Sequence, residues 1–301
     1  MVFRTAILFT SLTILLMLLG FAIGFAIGVS PIGLMLVGLI FAGIFNLASY
    51  AFSDRFVLWS THAKLVTEAQ APQLYSIVRR VSEEAHIPMP RVGIVQSAQP
   101  NAFATGRGPG KAIVVATTSI LQVLTPSELE AVIGHEISHV VHRDVLVASV
   151  AATVAGTISF LGQMVLWNSF FGGFGGRNSG NNNQNEMDFV LMIVAAILIP
   201  IAAMLVQMGI SRSRESSADA AGAKLTQKPQ ELINALRKIS NRAQASQWTR
   251  ANAPSPATSA LWIVNPLKGS SWTELFSTHP SLESRIRSIT KVAQEMGIAV
   301  M

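Results

Sequence analysis

The sequence predicts a mainly α-helical membrane protein, with four transmembrane helices carrying an α+β domain built on a small β-sheet. Three observations lead there. Half of the 301 residues are hydrophobic and only 13% are charged, where soluble proteins average about 25% charged, and the mean hydropathy is +0.45. Four uncharged or nearly uncharged runs, 5–28, 32–49, 145–168 and 189–210, approach or exceed the roughly 20 residues that span a bilayer. The segments between and after these runs are polar and carry helix-period and strand-like patterns.

Residues 5–28 contain no charge. A signal peptide is the competing reading, with Arg4 as its basic flank, but signal-peptide apolar cores run only about 7–15 residues. A second apolar run, 32–49, starts almost at once after the turn Gly28-Val29-Ser30-Pro31. The two form a helical hairpin, and residues 1–50 are one segment. Residues 51–144 are the first part of the polar domain. There, 71–86 has helical spacing of apolar positions and is closed by Pro88 and Pro90; 91–97 and 111–118 are β-branched runs bounded by Gly and Pro, hence strands. Thr125-Pro126-Ser127-Glu128 is a capping box with Pro at the first helical position, opening a helix from 126 to about 142. Residues 145–210 supply the third and fourth spans, joined by a Gly- and Asn-rich loop, 169–187, whose composition builds no core. Residues 211–301 are the second part of the polar domain, in which 245–270 has the composition of a lid or a linker.

Charge placement sets the topology. Of the 22 Lys and Arg residues, only Arg177 lies in the 169–187 loop and none in the 28–31 turn. The positive-inside rule then puts both termini and the polar domain in the cytoplasm and the 169–187 loop in the periplasm. The same rule accounts for the net charge of +6; without a basic run, nucleic acid is excluded as a partner. With no cysteine, neither disulfides nor a thiolate metal site is available. Any metal is held by Asp, Glu or the six histidines: His62, His86, His135, His139, His142 and His279.

The chemistry concentrates at His135-Glu136-Ile137-Ser138-His139, which reads H-E-x-x-H. On a helix, His135 and His139 stand one turn apart on one face and reach one Zn²⁺, with Glu136 beside it as base. A catalytic zinc takes three protein ligands and one open position for water. His142, three residues past His139 on the same short helix, cannot close a tetrahedron, so the third ligand comes from elsewhere. The best candidate is Glu215, just after the fourth apolar run, with Asp219 at i+4 as the carboxylate that accepts the distal N–H of a ligand histidine. One zinc per chain is expected.

Gln99-Pro100-Asn101-Ala102-Phe103-Ala104-Thr105-Gly106, Gly134-His135-Glu136-Ile137-Ser138-His139 with Asp144, Ser211-Arg212 through Glu215 to Ala218-Asp219, and Phe276-Ser277-Thr278-His279-Pro280 with Arg285-Ile286 occur in that order. With the N-terminal hairpin they make the chain resemble the HtpX family of bacterial inner-membrane zinc metallopeptidases, and more distantly the CAAX prenyl protease family of eukaryotes. The resemblance implies a zincin-type metalloendopeptidase domain facing the cytoplasm, acting on misfolded or damaged membrane proteins. It implies that the stretch around Asn101, Ala102 and Phe103 and the strand that follows hold substrate as an added β-strand, and that His279 and Arg285 line the site. One departure is local: family members place an aromatic residue after the ligand Glu, where this chain has Ser216 and Ser217.

The mechanism expected from these residues is attack of a zinc-activated water on the scissile carbonyl, with Glu136 as general base. A donor for the developing oxyanion is also required. Tyr50 and Tyr75 are far from the motifs in sequence, so His279 is the candidate, with Arg285 on the following helix. A degenerate scaffold predicts a lost ligand or base, and none is lost. A transporter predicts His and Glu within the apolar runs, and they lie outside them. Substrates are polypeptides, with the lipid bilayer as the other partner; the sequence does not fix the oligomeric state.

Overall fold

The computed structural model describes residues 30–144, 212–245 and 280–300, together with helical positions scattered through 9–21. The expected third and fourth spans, the 169–187 loop, the stretch 245–270 beyond Ala245, and His279 lie outside the described residues. The chain divides into two compact units, one containing Met1–Phe52 and the other beginning at Ser53.

Helix α1 (Pro31–Ser60), which belongs to the first unit as far as Phe52, starts where the sequence says it should. Ser30 Oγ accepts the Gly33 N–H at 3.1 Å, and Pro31 needs no N–H partner at the first position. Among the described residues, Pro31–Ala48 is the segment long and apolar enough to cross a membrane. It packs closely on the helical positions before it. A Cβ on Gly20 would strike the Leu34 carbonyl oxygen, and one on Gly38 the Leu16 carbonyl oxygen, so the backbones touch where side chains are absent. Asn46 Nδ2 donates to Thr13 Oγ1 at 3.1 Å across the same contact.

α1 does not end at the change from apolar to polar composition near 50. Nothing in AFSDRFVLWS stops a helix, and the chain turns only at Thr61-His62, where His62 has φ 55°.

The second unit is a mixed four-stranded sheet with helices packed on it. Strands β1 (Lys64–Leu65), β2 (Arg91–Val95), β3 (Ala102–Thr105) and β4 (Ile113–Thr117) lie in the order β1-β2-β4-β3. β2 and β4, the two expected strands, pair in parallel; β1 and β3 flank them antiparallel. β3 falls in the stretch that links the two expected strands and forms an edge. β4 reads IVVAT without alternation because both faces are covered. Ile113 and Val115 pack with Val57, Val95 and Phe103, while Val114 and Ala116 face the main core.

Helix α2 (Pro72–Glu84) buries Leu74, Ile77, Val78 and Val81, the i, i+3, i+4, i+7 stripe its sequence spacing predicts. A short helix α3 (Thr118–Val123) leads to α4 (Pro126–Val141). The capping box at the start of α4 forms as expected: Thr125 Oγ1 accepts the Glu128 N–H at 3.3 Å and Glu128 Oε2 accepts the Thr125 N–H at 2.8 Å. α4 is buried almost all round from Glu128 to Ser138 and is the central helix. Helices α5 (Arg212–Thr226), α6 (Pro229–Ala245) and α7 (Leu282–Glu295) follow among the described residues. Leu232, Leu236 and Ile239 of α6 and Ile289 of α7 join Ile133 and Ile137 of α4 in one core.

Candidate metal centre

Two glycines bring the motif helices together. A Cβ on Gly222 of α5 would stand 2.6 Å from the His135 backbone nitrogen, and one on Gly134 of α4 would strike Thr226 Cγ2. α4 and α5 therefore cross backbone to backbone at the residue next to His135. Two turns before Gly222 on α5, this crossing delivers Glu215.

The three ligand candidates meet. His135 Nε2 and His139 Nε2 are 3.2 Å apart. Glu215 Oε1 lies 3.4 Å from His139 Nε2, and Glu215 Oε2 lies 3.7 Å from His135 Nε2. Ligands about 2.0–2.1 Å from a tetrahedral zinc stand about 3.3 Å from one another, so the triangle has the dimensions of one face of that tetrahedron. One ligand atom from each of His135, His139 and Glu215 lies within 4.8 Å of the others. The donor set fits the ion the sequence expects.

Each histidine turns its other ring nitrogen to an aspartate. Asp219 Oδ1 lies 2.9 Å from His135 Nδ1, close but out of line for a straight hydrogen bond. Asp219 is fully buried, and Arg285 grips it in two places: Nε to Oδ2 at 2.9 Å and Nη2 to Oδ1 at 2.6 Å. Burial pushes the Asp219 carboxyl up, but the Arg285 charge, with His135, outweighs it and holds the pKa at about 2. On the other side, Asp144 Oδ2 lies 3.5 Å from His139 Nδ1, and Arg214 Nη1 lies 3.5 Å from Asp144 Oδ1. Burial pulls the His139 imidazole down, yet Asp144 and Glu215 overcome it and raise its pKa to about 10. The pocket thus favours a positive charge at the point where the ligand atoms converge.

Glu136 is buried, and burial raises its pKa, partly countered by His135 and His139. Its Oε2 accepts the Ala104 N–H of β3 at 2.9 Å. The N–H that β3 directs away from β4 is therefore in contact with the carboxylate next to the metal ligands.

The remaining expected residues sit as follows. Asn101 is buried just before β3, its N–H donating to Thr117 Oγ1 at 2.8 Å and its carbonyl accepting the Thr117 N–H at 2.9 Å. Ala102 and Phe103 are buried on β3. Arg285 is 3% exposed and stands behind the ligands, its guanidinium engaged by Asp219 and 3.9 Å from Glu215 Oε2. Sequence reasoning placed Asp144 in a motif of the resemblance without giving it a partner, and it gave no role to Arg214 or the Ala104 N–H. The signal for Asp144 was its place five residues past His139, where the uncharged run beginning at 145 starts; a backbone N–H leaves no trace in a sequence.

Comparisons with known proteins supply the family. A match to peptidase family M48 spans residues 68–293, which include both histidines, Glu136 and Glu215. A protease HtpX homolog of Thermococcus sibiricus is 44% identical over 296 residues, 98% of this chain and 97% of that protein. Another, of Syntrophobacter fumaroxidans, is 44% identical over 287 residues, 95% of this chain and 98% of that protein. The crystal structure of S. mikatae Ste24p aligns over 95% of this chain and 64% of that chain, at TM-score 0.48 and 18% identity. With a family match over most of its length, near full-length HtpX relatives and a His-His-Glu cluster at the crossing of two helices, the chain belongs to peptidase family M48 and is a metallopeptidase.

Proposed function

We propose that the chain is a zinc-dependent endopeptidase of the bacterial inner membrane that hydrolyses misfolded or damaged membrane proteins. Its polar domain (51–144 with 211–301) faces the cytoplasm, and four spans hold it: two in 1–50 and two in 145–210. The observation that carries the reading is the ligand triangle of His135, His139 and Glu215 with Glu136 beside it.

A zinc ion held by those three residues supplies a Lewis acid that lowers the pKa of water and polarises a carbonyl. This chain's residues do the rest. Glu136 takes the proton of the attacking water and returns it to the leaving amine; burial, which raises its pKa, favours a carboxylate that holds a proton between the two steps. The Ala104 N–H keeps one carboxylate oxygen in place. The edge of the sheet at β3, from Asn101 through Phe103, takes the substrate backbone as a further strand, which sets a peptide bond beside Glu136 whatever its side chains. That sequence tolerance suits a quality-control protease. Asp219 orients His135, and Arg285 acts through Asp219 and so is a positioning residue. His279 supplies the donor for the oxyanion.

The test uses detergent-purified protein with a model membrane substrate, with and without Zn²⁺ and a chelator. Glu136→Gln keeps one zinc per chain and loses about 10²–10⁴-fold in cleavage rate. Glu215→Ala loses zinc by metal analysis. Wild-type cleavage by Glu136→Gln, or full zinc occupancy in Glu215→Ala, rejects the assignment.

A further inference from the structure

The two histidines are supported by matching chains of charge. Behind His135 stand Asp219 and then Arg285; behind His139 stand Asp144 and then Arg214. The first chain is buried and tight, with the Asp219–Arg285 contacts at 2.6 and 2.9 Å. The second is looser, at 3.5 Å for both links, with the Asp144 side chain 16% exposed. It also joins the two ligand helices at their near ends. Asp144 follows the last turn of α4, and Arg214 is adjacent to Glu215 in the first turn of α5.

We infer that Asp144, backed by Arg214, is a positioning pair that holds His139 in the tautomer and orientation a metal requires, and that it sets how fast the site releases its ion. The reason is chemical. An imidazole that offers Nε2 to a cation must carry its proton on Nδ1, and a carboxylate facing Nδ1 favours that tautomer and makes the ring a stronger donor. Asp144 is in turn held by a guanidinium whose backbone belongs to the helix that supplies Glu215. The pair therefore orients His139 and ties it to the third ligand. Because its contacts are the longer and more exposed of the two, His139 is the ligand that lets go first. The inference rests on the zinc reading above.

The experiment measures Zn²⁺ dissociation from the full-length protein in detergent with a chromophoric chelator, and the absorption spectrum of the Co²⁺ form. Asp144→Asn, which keeps the shape and removes the charge, is expected to speed zinc release by about 10–100-fold. Its metal-free form should still melt cooperatively, at a somewhat lower temperature because Asn no longer pairs with the His139 ring, and its Co²⁺ bands should shift. Arg214→Gln gives a smaller acceleration, and the double variant releases zinc no faster than Asp144→Asn alone, because Arg214 acts through Asp144. Arg214→Lys, which keeps the charge, recovers part of the loss. Unchanged release and an unchanged Co²⁺ spectrum in Asp144→Asn overturn the inference while leaving the zinc site standing. Additive effects in the double variant overturn the coupling. A wild-type protein that retains no zinc overturns the zinc reading itself, and this inference with it.

Discussion

At His139 the surrounding acids decide the protonation state. With a pKa near 10, the metal-free imidazole is charged at neutral pH, so a divalent ion that takes Nε2 expels a proton. The sign follows from a pKa raised above its ordinary value: metal competes with a bound proton at all pH below about 10, and apparent affinity climbs about tenfold per pH unit over that range. Calorimetry in buffers of differing ionisation enthalpy should record release of about one proton per zinc near neutral pH; zero release would mean His139 is already neutral. In the metal-free protein the same shift stabilises the fold below the ordinary histidine pKa, and that contribution is lost as pH rises through about 10. Asp219 runs the other way. Its lowered pKa stabilises the fold above the ordinary carboxylate range, and the contribution disappears as pH falls toward 2. His135, His139, Glu136 and Glu215 were all legible as residues, because their spacing and chemistry are local facts. Asp144 and Arg214 were not. Asp144 lies only five positions past His139 but beyond the end of the α4 helix, where spacing no longer says which way a side chain faces, and its link to Arg214 is distant in sequence; an acid or an arginine alone has many uses.

At the scale of elements, the crossing of α4 and α5 is the joint on which the centre depends. Gly222→Ala puts a methyl against the His135 backbone, and neither backbone can swing aside as a side chain would. The helices must part, at a cost of about 1–3 kcal/mol. Since the shift falls at His135, zinc occupancy should drop together with the melting temperature; a variant that melts lower yet keeps full zinc would show that the crossing does not position the ligands. The start of α4 depends less on long-range packing, because its capping box closes within four residues. That difference explains which elements could be read. The stripe of α2, the box of α4 and the β-branched runs of β2 and β4 each carry a period or a cap within a few residues. β3 carries neither. It is four residues long and becomes a strand by pairing with β4. α1 runs ten residues past the apolar stretch because composition changes there while helix-forming capacity does not.

For the whole molecule, the predicted topology has a direct test because the chain lacks cysteine. A single Arg177→Cys should react with a membrane-impermeant thiol reagent in intact spheroplasts, and a single Glu84→Cys only after permeabilisation. Labelling of both, or of Glu84→Cys alone, rejects the orientation. The bilayer reading came from composition and the apolar runs, whose solvent preference is set by side chains alone and needs no fold to be read. The sequence by itself determined the apolar character of the chain, the two candidate ligand histidines, the carboxylate beside them and the kind of residue that could complete a metal centre. Tertiary structure decided the rest: that Glu215 closes the triangle, that Arg285 backs Asp219, that Asp144 and Arg214 support His139, and that an edge-strand N–H holds Glu136. Periodicity and spacing act over one or two turns of chain, and a sequence displays them. Contacts between residues 32 to 80 positions apart exist only in the folded chain, and those of Glu215 only after two glycines have let two helices cross.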